Sequence, residues 1–126
     1  MFDHITLTAK DYPASKAFYD KVFATLGLKE LAGEEGVYSG FGISRPFFWI
    51  GAPNESHPIS TSVHIAFAGK NKEEVGAFYK TAISAGAKDN GAPGYREEYH
   101  SGYYAAFVFD LDGNNIEVVY REENEG

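Results

Sequence analysis

The chain contains no cysteine, and this absence excludes disulfide bonds and thiolate metal sites. Any metal ion would therefore be bound by histidine, aspartate or glutamate. A cysteine-free chain is compatible with a reducing cytoplasm, which is where we expect the protein. No apolar run approaches the roughly 18 residues of a membrane span, and the N-terminus 1–4 lacks the basic and apolar regions of a signal peptide. We therefore expect neither membrane insertion nor export.

Basic residues are also few, since 11 lysines and arginines stand against 18 acidic residues and give a formal charge of −7. They are scattered along the chain, so the basic patch of a nucleic-acid-binding protein is missing. Aromatic residues, by contrast, are abundant, with ten Phe, nine Tyr and one Trp in 126 residues. We expect some of them to line a concave pocket for a small molecule.

The chain contains an internal repeat at an offset of sixty residues. Two matches share that offset: His4-Ile5-Thr6-Leu7 with His64-Ile65-Ala66-Phe67, and Ala17-Phe18-Tyr19 with Ala77-Phe78-Tyr79. We interpret them as a duplication within one domain, residues 1–126, with repeat 1 at 1–54 and repeat 2 at 60–126.

Within each repeat the hydrophobic period changes from two to 3.6 and back, which predicts a strand, a helix and further strands. The first strand is expected at about Phe2–Ala9 and its helix after Asp11, with Pro13 in the first turn. In the second repeat a strand is expected at Thr61–Ala68, followed by a helix capped by Asn71.

Short segments rich in aromatic and β-branched residues follow each helix and predict the remaining strands. They cover 28–31, 37–43 and 46–51 in the first repeat, and 103–110 and 115–121 in the second. Asp112-Gly113 predicts a tight hairpin turn between the last two. Residues 89–102 are glycine-rich and weakly patterned, so we expect a loop there.

Strand alternation assigns the ionisable residues to one side of the sheet. His4, His64 and Glu117 each fall opposite the apolar residues that would pack against a helix. A shared open cavity would explain why all three avoid the core side, although alternation alone does not show that they meet.

Three features of the chain occur together: the two His-Ile strand starts, the two Ala-Phe-Tyr helices and the segment Gly102-Tyr103-Tyr104-Ala105-Ala106-Phe107-Val108-Phe109-Asp110-Leu111-Asp112-Gly113-Asn114-Asn115-Ile116-Glu117. They carry a resemblance to the vicinal oxygen chelate superfamily, which includes glyoxalase I, extradiol dioxygenases and bleomycin-resistance proteins. It implies an α+β fold of two tandem βαβββ modules that form a curved, cup-like mixed sheet with helices on the outer face. It also implies a homodimer.

The resemblance further implies a metal site formed by His4, His64 and Glu117, which match the family's ligand positions. The fourth family position falls on Trp49, where glyoxalase I has a second carboxylate that serves as ligand and base. This departure argues against lactoylglutathione lyase activity.

Two histidines and one carboxylate suit a divalent ion such as Fe, Mn, Ni or Zn, with open positions for a chelating substrate. The first hypothesis is therefore a metal-dependent lyase, isomerase or dioxygenase with no organic cofactor, in which Glu117 is also catalytic. The alternative is a metal-free binding protein of the bleomycin-resistance type, in which Trp49 stacks on the ligand.

The segment 96–103 groups a cation, a titratable ring and phenols in a predicted loop. As hypotheses, Arg96 fixes an anionic substrate group, Tyr99 or His100 transfers a proton, and Tyr103 contacts the substrate. A solvated loop with local hydrogen bonds is the competing interpretation. His57, in the polar linker, is expected to be exposed and inert.

Overall fold

The computed structural model describes residues 1–122, which fall into two compact units, Met1–Thr61 and Ser62 onward. The first unit contains β1 (Ile5–Thr8), α1 (Tyr12–Ala24), β2 (Lys29–Glu34), β3 (Tyr38–Gly42) and β4 (Pro46–Gly51). The second contains β5 (His64–Ala68), α2 (Lys72–Ser84), β6 (Lys88–Tyr95), β7 (Tyr103–Phe109) and β8 (Asn115–Arg121). The α+β class and the two tandem βαβββ modules are confirmed.

Each unit forms its own four-stranded sheet with the same connectivity. The strand order is β1-β4-β3-β2 in the first unit and β5-β8-β7-β6 in the second. In both sheets the first strand pairs in parallel with the last, and the other neighbours are antiparallel. The helix after the first strand returns the chain to the starting end of the sheet, and the two antiparallel hairpins that follow bring the last strand back parallel to the first.

Both helices begin at side-chain caps. The Asp11 carboxylate accepts a hydrogen bond from the Ala14 N–H at the start of α1, where Pro13 lies in the first turn. The Asn71 side chain accepts a 2.8 Å hydrogen bond from the Glu74 N–H, which confirms the predicted cap of α2.

Aromatic rings form the core of the first unit between α1 and its sheet. Phe23 lies with its ring centroid 5.2 Å from that of Phe41 and 5.0 Å from that of Phe48. Tyr19 contacts Phe48 from the same helix, at 5.3 Å between centroids. Because Phe48 and its neighbour Ile50 are fully buried, alternation along β4 leaves Trp49 on the opposite face.

In the second unit a buried asparagine joins the first strand to the last hairpin. Asn114 Oδ1 accepts a 3.0 Å hydrogen bond from the Val63 N–H, and its Nδ2 donates to Asp110 Oδ2 at 3.2 Å. The turn between β7 and β8 contains Gly113 at φ 87°, in the left-handed region that glycine tolerates. The hairpin predicted from Asp112-Gly113 is therefore confirmed.

The loop predicted at 89–102 is wrong over its first half, because β6 extends from Lys88 to Tyr95. Its pairing with β7 shifts between Asp89 and Gly91 and again between Gly91 and Gly94. These irregularities break the two-residue alternation by which a strand is recognised in a sequence. Only the connection after β6 remains without regular structure.

We predict that Phe48→Ala lowers the free energy of unfolding by about 3–5 kcal/mol, because the ring is fully buried among Tyr19 and Phe23. Chemical denaturation measures the change. Ile43→Ala is the matched control, since that side chain is 65% exposed and should cost little. A similar loss in both variants would contradict the assignment of the core.

Candidate functional site

One face of the second sheet, opposite the buried residues Ile116 and Val118, carries a group of polar and aromatic side chains. In the order of the chain they are His64, Tyr103, Phe107 and Glu117. Glu117 has two cross-strand partners, Phe107 on β7 and Ala66 on β5. Alternation along three adjacent strands thus places these side chains together.

Glu117 lies at the centre of this face and is 2% exposed. Its Oε1 lies 2.8 Å from His64 Nε2, and its Oε2 accepts a hydrogen bond from the Tyr103 hydroxyl. Burial of a carboxylate costs free energy unless hydrogen bonds satisfy its oxygens. Here each oxygen has one partner, and the His64 side chain remains 54% exposed.

The Tyr103 phenol is protonated well above neutral pH. Burial, followed by its hydrogen bond to Glu117, raises the pKa of Tyr103 to about 12. The guanidinium of Arg121, 4.8 Å from the centre of the Tyr103 ring, opposes this shift. Tyr103 is therefore a stable hydrogen-bond donor to the carboxylate.

The other predicted residues of the 96–103 segment lie around this group. Arg96 is half-buried over the ring of Phe107, and the edge of the exposed Tyr99 ring contacts Tyr103 at 5.3 Å between centroids. His100 is exposed, and its Nδ1 lies 2.8 Å from the carbonyl oxygen of Ser101. The structure thus brings His64, Glu117 and Tyr103 into direct contact, but not His100.

His4 and Trp49 belong to the first unit. β1 begins at Ile5 and not at the predicted Phe2, because Ile5 is the first residue that pairs with β4. His4 therefore precedes the strand, is exposed, and has its Nδ1 2.8 Å from Asp3 Oδ1. Hydrogen bonds from His4 and Arg45 lower the pKa of the Asp3 carboxyl.

Strand register makes Trp49 the counterpart of Glu117. Trp49 pairs with Thr6 on β1, and Glu117 pairs with Ala66 on β5. Ala66 follows Thr6 by the repeat offset of sixty residues. The indole lies over Gly40, where an added Cβ would come within 2.6 Å of an indole carbon. The indole of Trp49 therefore occupies the position in the first unit that the buried carboxylate of Glu117 occupies in the second.

The second unit offers two ligand atoms that fit a divalent ion. Ligand atoms bound to one ion lie about 3 Å from each other, and His64 Nε2 and Glu117 Oε1 are 2.8 Å apart. Imidazole nitrogen and carboxylate oxygen both suit iron, manganese, nickel and zinc. Within residues 1–122, no group of three or more His, Cys, Asp or Glu side chains is arranged to hold a metal ion.

Phe107 was not predicted from the sequence as part of this face, nor were Gly91 and Gly94 of β6, whose backbones lie against the Arg96 guanidinium. The alternation of Tyr103, Ala105 and Phe107 along β7 could have placed Phe107 on the Glu117 side. The role of Gly91 and Gly94 has no sequence signal, since it depends on an irregular register. His57, which was expected to be inert, is exposed, and its Nδ1 lies 3.1 Å from Asn54 Oδ1.

A family model for the Glyoxalase/Bleomycin resistance protein/Dioxygenase superfamily matches residues 1–118. Together with the two βαβββ modules, this match shows that the chain belongs to that superfamily. No curated protein matches the chain.

Several solved structures share the fold. A glyoxalase/bleomycin resistance protein from Albidiferax ferrireducens T118 is 28% identical, with a TM-score of 0.83, and the alignment covers 97% of this chain and 99% of that one. A lactoylglutathione lyase from Agrobacterium tumefaciens is 23% identical, with a TM-score of 0.70 and coverage of 95% and 92%. A mutant of the fosfomycin resistance protein FosX from Listeria monocytogenes, complexed with Mn(II) and 1S,2S-dihydroxypropylphosphonic acid, is 22% identical, with a TM-score of 0.69 and coverage of 94% and 88%.

Neither helix within residues 1–122 is long and apolar enough to cross a membrane. The cytoplasmic location and the homodimer stay predictions from the sequence.

We predict that one phenol of the metal-free protein titrates near pH 12 and that Tyr103→Phe removes this step, as measured by ultraviolet difference spectroscopy. Because the folded-state pKa exceeds the ordinary value of 10, the stability linked to this shift is fully present below pH 10. It is lost as pH rises through about 12. The wild type could instead differ from Tyr103→Phe only by one additional phenol that titrates at the ordinary pKa of 10. That result would contradict the hydrogen bond between Tyr103 and Glu117.

Proposed function

We propose that this protein is a divalent-metal-dependent lyase, isomerase or dioxygenase that acts on a small oxygen-chelating substrate. The single observation that carries the proposal is the contact of His64 with the buried carboxylate of Glu117 on one sheet face. A buried carboxylate beside an aromatic ring is costly for stability, and such groups concentrate at functional sites.

In this proposal His64 and Glu117 hold the ion, and the resemblance implies His4 as a third ligand. When bound, a divalent ion supplies Lewis-acid polarisation of a substrate oxygen and stabilises negative charge that develops there. The metal is one of Fe, Mn, Ni or Zn, and the proposal includes no organic cofactor.

The chain's own residues orient the carboxylate and exchange protons. The Tyr103 hydroxyl donates to Glu117 Oε2 and so fixes the direction of Oε1, which faces His64. Partners of this kind behind a ligand orient it and tune its affinity. Tyr99 is exposed and its ring contacts that of Tyr103, and His100 is exposed in the same connection after β6; these two are the proposed proton-transfer residues.

Trp49 separates this proposal from lactoylglutathione lyase chemistry. The resemblance places a second carboxylate at this position in glyoxalase I, and strand register makes Trp49 the counterpart of Glu117. An indole neither binds a hard cation nor accepts a proton at neutral pH. We therefore propose that Trp49 contacts a planar or apolar part of a ligand and does not bind a metal ion.

We expect protein purified without a metal-affinity step to contain a near-stoichiometric divalent metal, measured by elemental analysis. His64→Ala should lose this metal, because the variant removes one of two ligand atoms on the sheet face. Tyr103→Phe should lower the affinity for Mn(II) by about tenfold or more, since it frees the carboxylate to rotate.

His57→Ala is the matched control, because it removes an exposed imidazole that hydrogen-bonds to Asn54 and is not one of the proposed ligands. This variant should keep the metal content of the wild type. Metal-free wild type that also takes up none of the four ions on dialysis would refute the enzyme proposal.

The alternative function is metal-free binding of a small aromatic or antibiotic-like compound. Two observations favour it: His64 and Glu117 satisfy each other directly, and Trp49 occupies the position of the second carboxylate. Trp49 packs 5.9 Å from the Tyr38 ring and is only partly buried, so part of the indole is accessible.

Under this alternative, planar aromatic compounds should quench the fluorescence of Trp49, which is the single tryptophan of the chain. The quenching should saturate in the absence of metal and should be unchanged in His64→Ala. Linear, non-saturating quenching equal to that of free indole would show that these compounds do not bind against Trp49.

A further inference from the structure

Arg96 lies against the same sheet face as Glu117. Its guanidinium carbon is 5.3 Å from the centre of the Phe107 ring, a separation typical of a cation–π contact. Its Nη2 also donates a 2.8 Å hydrogen bond to the carbonyl oxygen of Ala92. These two contacts fix the plane of the half-buried guanidinium.

Two glycines of β6 make room for this guanidinium. An added Cβ at Gly91 would lie 3.0 Å from Arg96 Nη2 and 3.0 Å from the Phe107 ring. An added Cβ at Gly94 would lie 3.1 Å from Arg96 Nη1. All three distances are shorter than an ordinary van der Waals contact, so a side chain at either position would require the guanidinium to shift by a few tenths of an ångström.

Arg96 has no acidic partner among residues 1–122. The ion pairs of this part of the chain involve other cations, and the carboxylates of Glu97 and Glu98, which follow Arg96 directly, are exposed and do not contact it. Glu117 is already engaged by His64 and Tyr103. A half-buried guanidinium that lacks a counter-ion is a ready site for an external anion, with donors suited to bidentate contact.

Phe107 links this cation to the proposed metal-binding pair. Its ring lies under Arg96, its centroid is 6.3 Å from that of the His64 ring, and its backbone pairs with Glu117. Phe107 is itself buried, so a small molecule that contacts the exposed His64 ring lies beside Phe107 when it reaches the guanidinium.

We infer that the small molecule that binds at His64 and Glu117 carries a separate anionic group, a carboxylate or a phosphonate, that Arg96 holds. This inference rests on the proposed function, because the pair binds the chelating end of the same molecule. It restricts the proposed substrates from small oxygen chelators in general to those that carry a separate anionic group.

The test compares chelators that have the same chelating end and differ in whether they carry a separate anionic group. 3,4-Dihydroxybenzoate is matched with its neutral amide, and phosphonoacetohydroxamate with acetohydroxamate, in Mn(II)-loaded protein by calorimetric titration. Wild type should bind one anionic member about tenfold or more tightly than its neutral partner, as expected for a charge-assisted hydrogen bond. The set of matched chelators that shows the larger preference for its anionic member tells whether Arg96 binds a carboxylate or a phosphonate more tightly.

Arg96→Gln should remove this preference and leave the affinity for the neutral members unchanged. Gly94→Ala should reduce the preference to an intermediate value, because it moves the guanidinium without removing its charge. Arg45→Gln is the control for net charge, since Arg45 is exposed in the first unit and pairs with Asp3. It should keep the full preference.

A second measurement does not depend on metal. In metal-free protein the side-chain Nε–H signal of Arg96, identified by its loss in Arg96→Gln, should shift on titration with inorganic phosphate or benzoate in the millimolar range. Equal affinities for charged and neutral chelators in wild type, or no shift of this signal, would overturn the inference. A preference that is lost in Arg121→Gln and kept in Arg96→Gln would overturn it as well.

The two proposals fail in distinguishable ways. If Mn(II) and the neutral chelators bind but charge makes no difference, the anion site fails and the proposed metal site stands. If no metal binds but the Arg96 signal responds to phosphate, the anion site stands and the metal-dependent function fails.

Discussion

The parallel pairing between the first and last strands of each unit is the constraint on which the rest depends. It places β8 directly beside β5, so that Glu117 and His64 share one face and come within hydrogen-bond distance. The same pairing in the first unit places Trp49 beside Thr6. One topology, used twice, therefore presents a carboxylate in one sheet and an indole in the other.

Charge on the second sheet face is arranged around one phenylalanine. The Glu117 carboxylate lies on β8, the Arg96 guanidinium follows β6, and Phe107 on β7 separates them. Because the ring intervenes, the two charges do not neutralise each other by direct contact. The guanidinium keeps its capacity for an external anion, whereas the carboxylate is paired with His64 and with the Tyr103 hydroxyl.

Much of this arrangement could be predicted from the sequence, because it depends on period and repetition. The offset of sixty residues gave the two modules, and alternation assigned His64 and Glu117 to one face. The contact of Tyr103 with Glu117 could not be predicted, since the hairpin signal predicts the pairing of β7 with β8 but not that the Tyr103 side chain reaches along the face to a residue that is not its cross-strand partner. β6 was missed because its register slips at Gly91, where φ is 146° and alternation is lost.

The division into two units has a consequence for synthesis on the ribosome. All four strands of the first sheet, and the helix that crosses it, lie within Met1–Thr61. This sheet can therefore be complete before most of the second unit has left the exit tunnel, since domains fold as units during translation. The second sheet must wait for β8, an inner strand and the last of its four strands to be made, so the site face with Glu117 is among the last parts of this sheet to form.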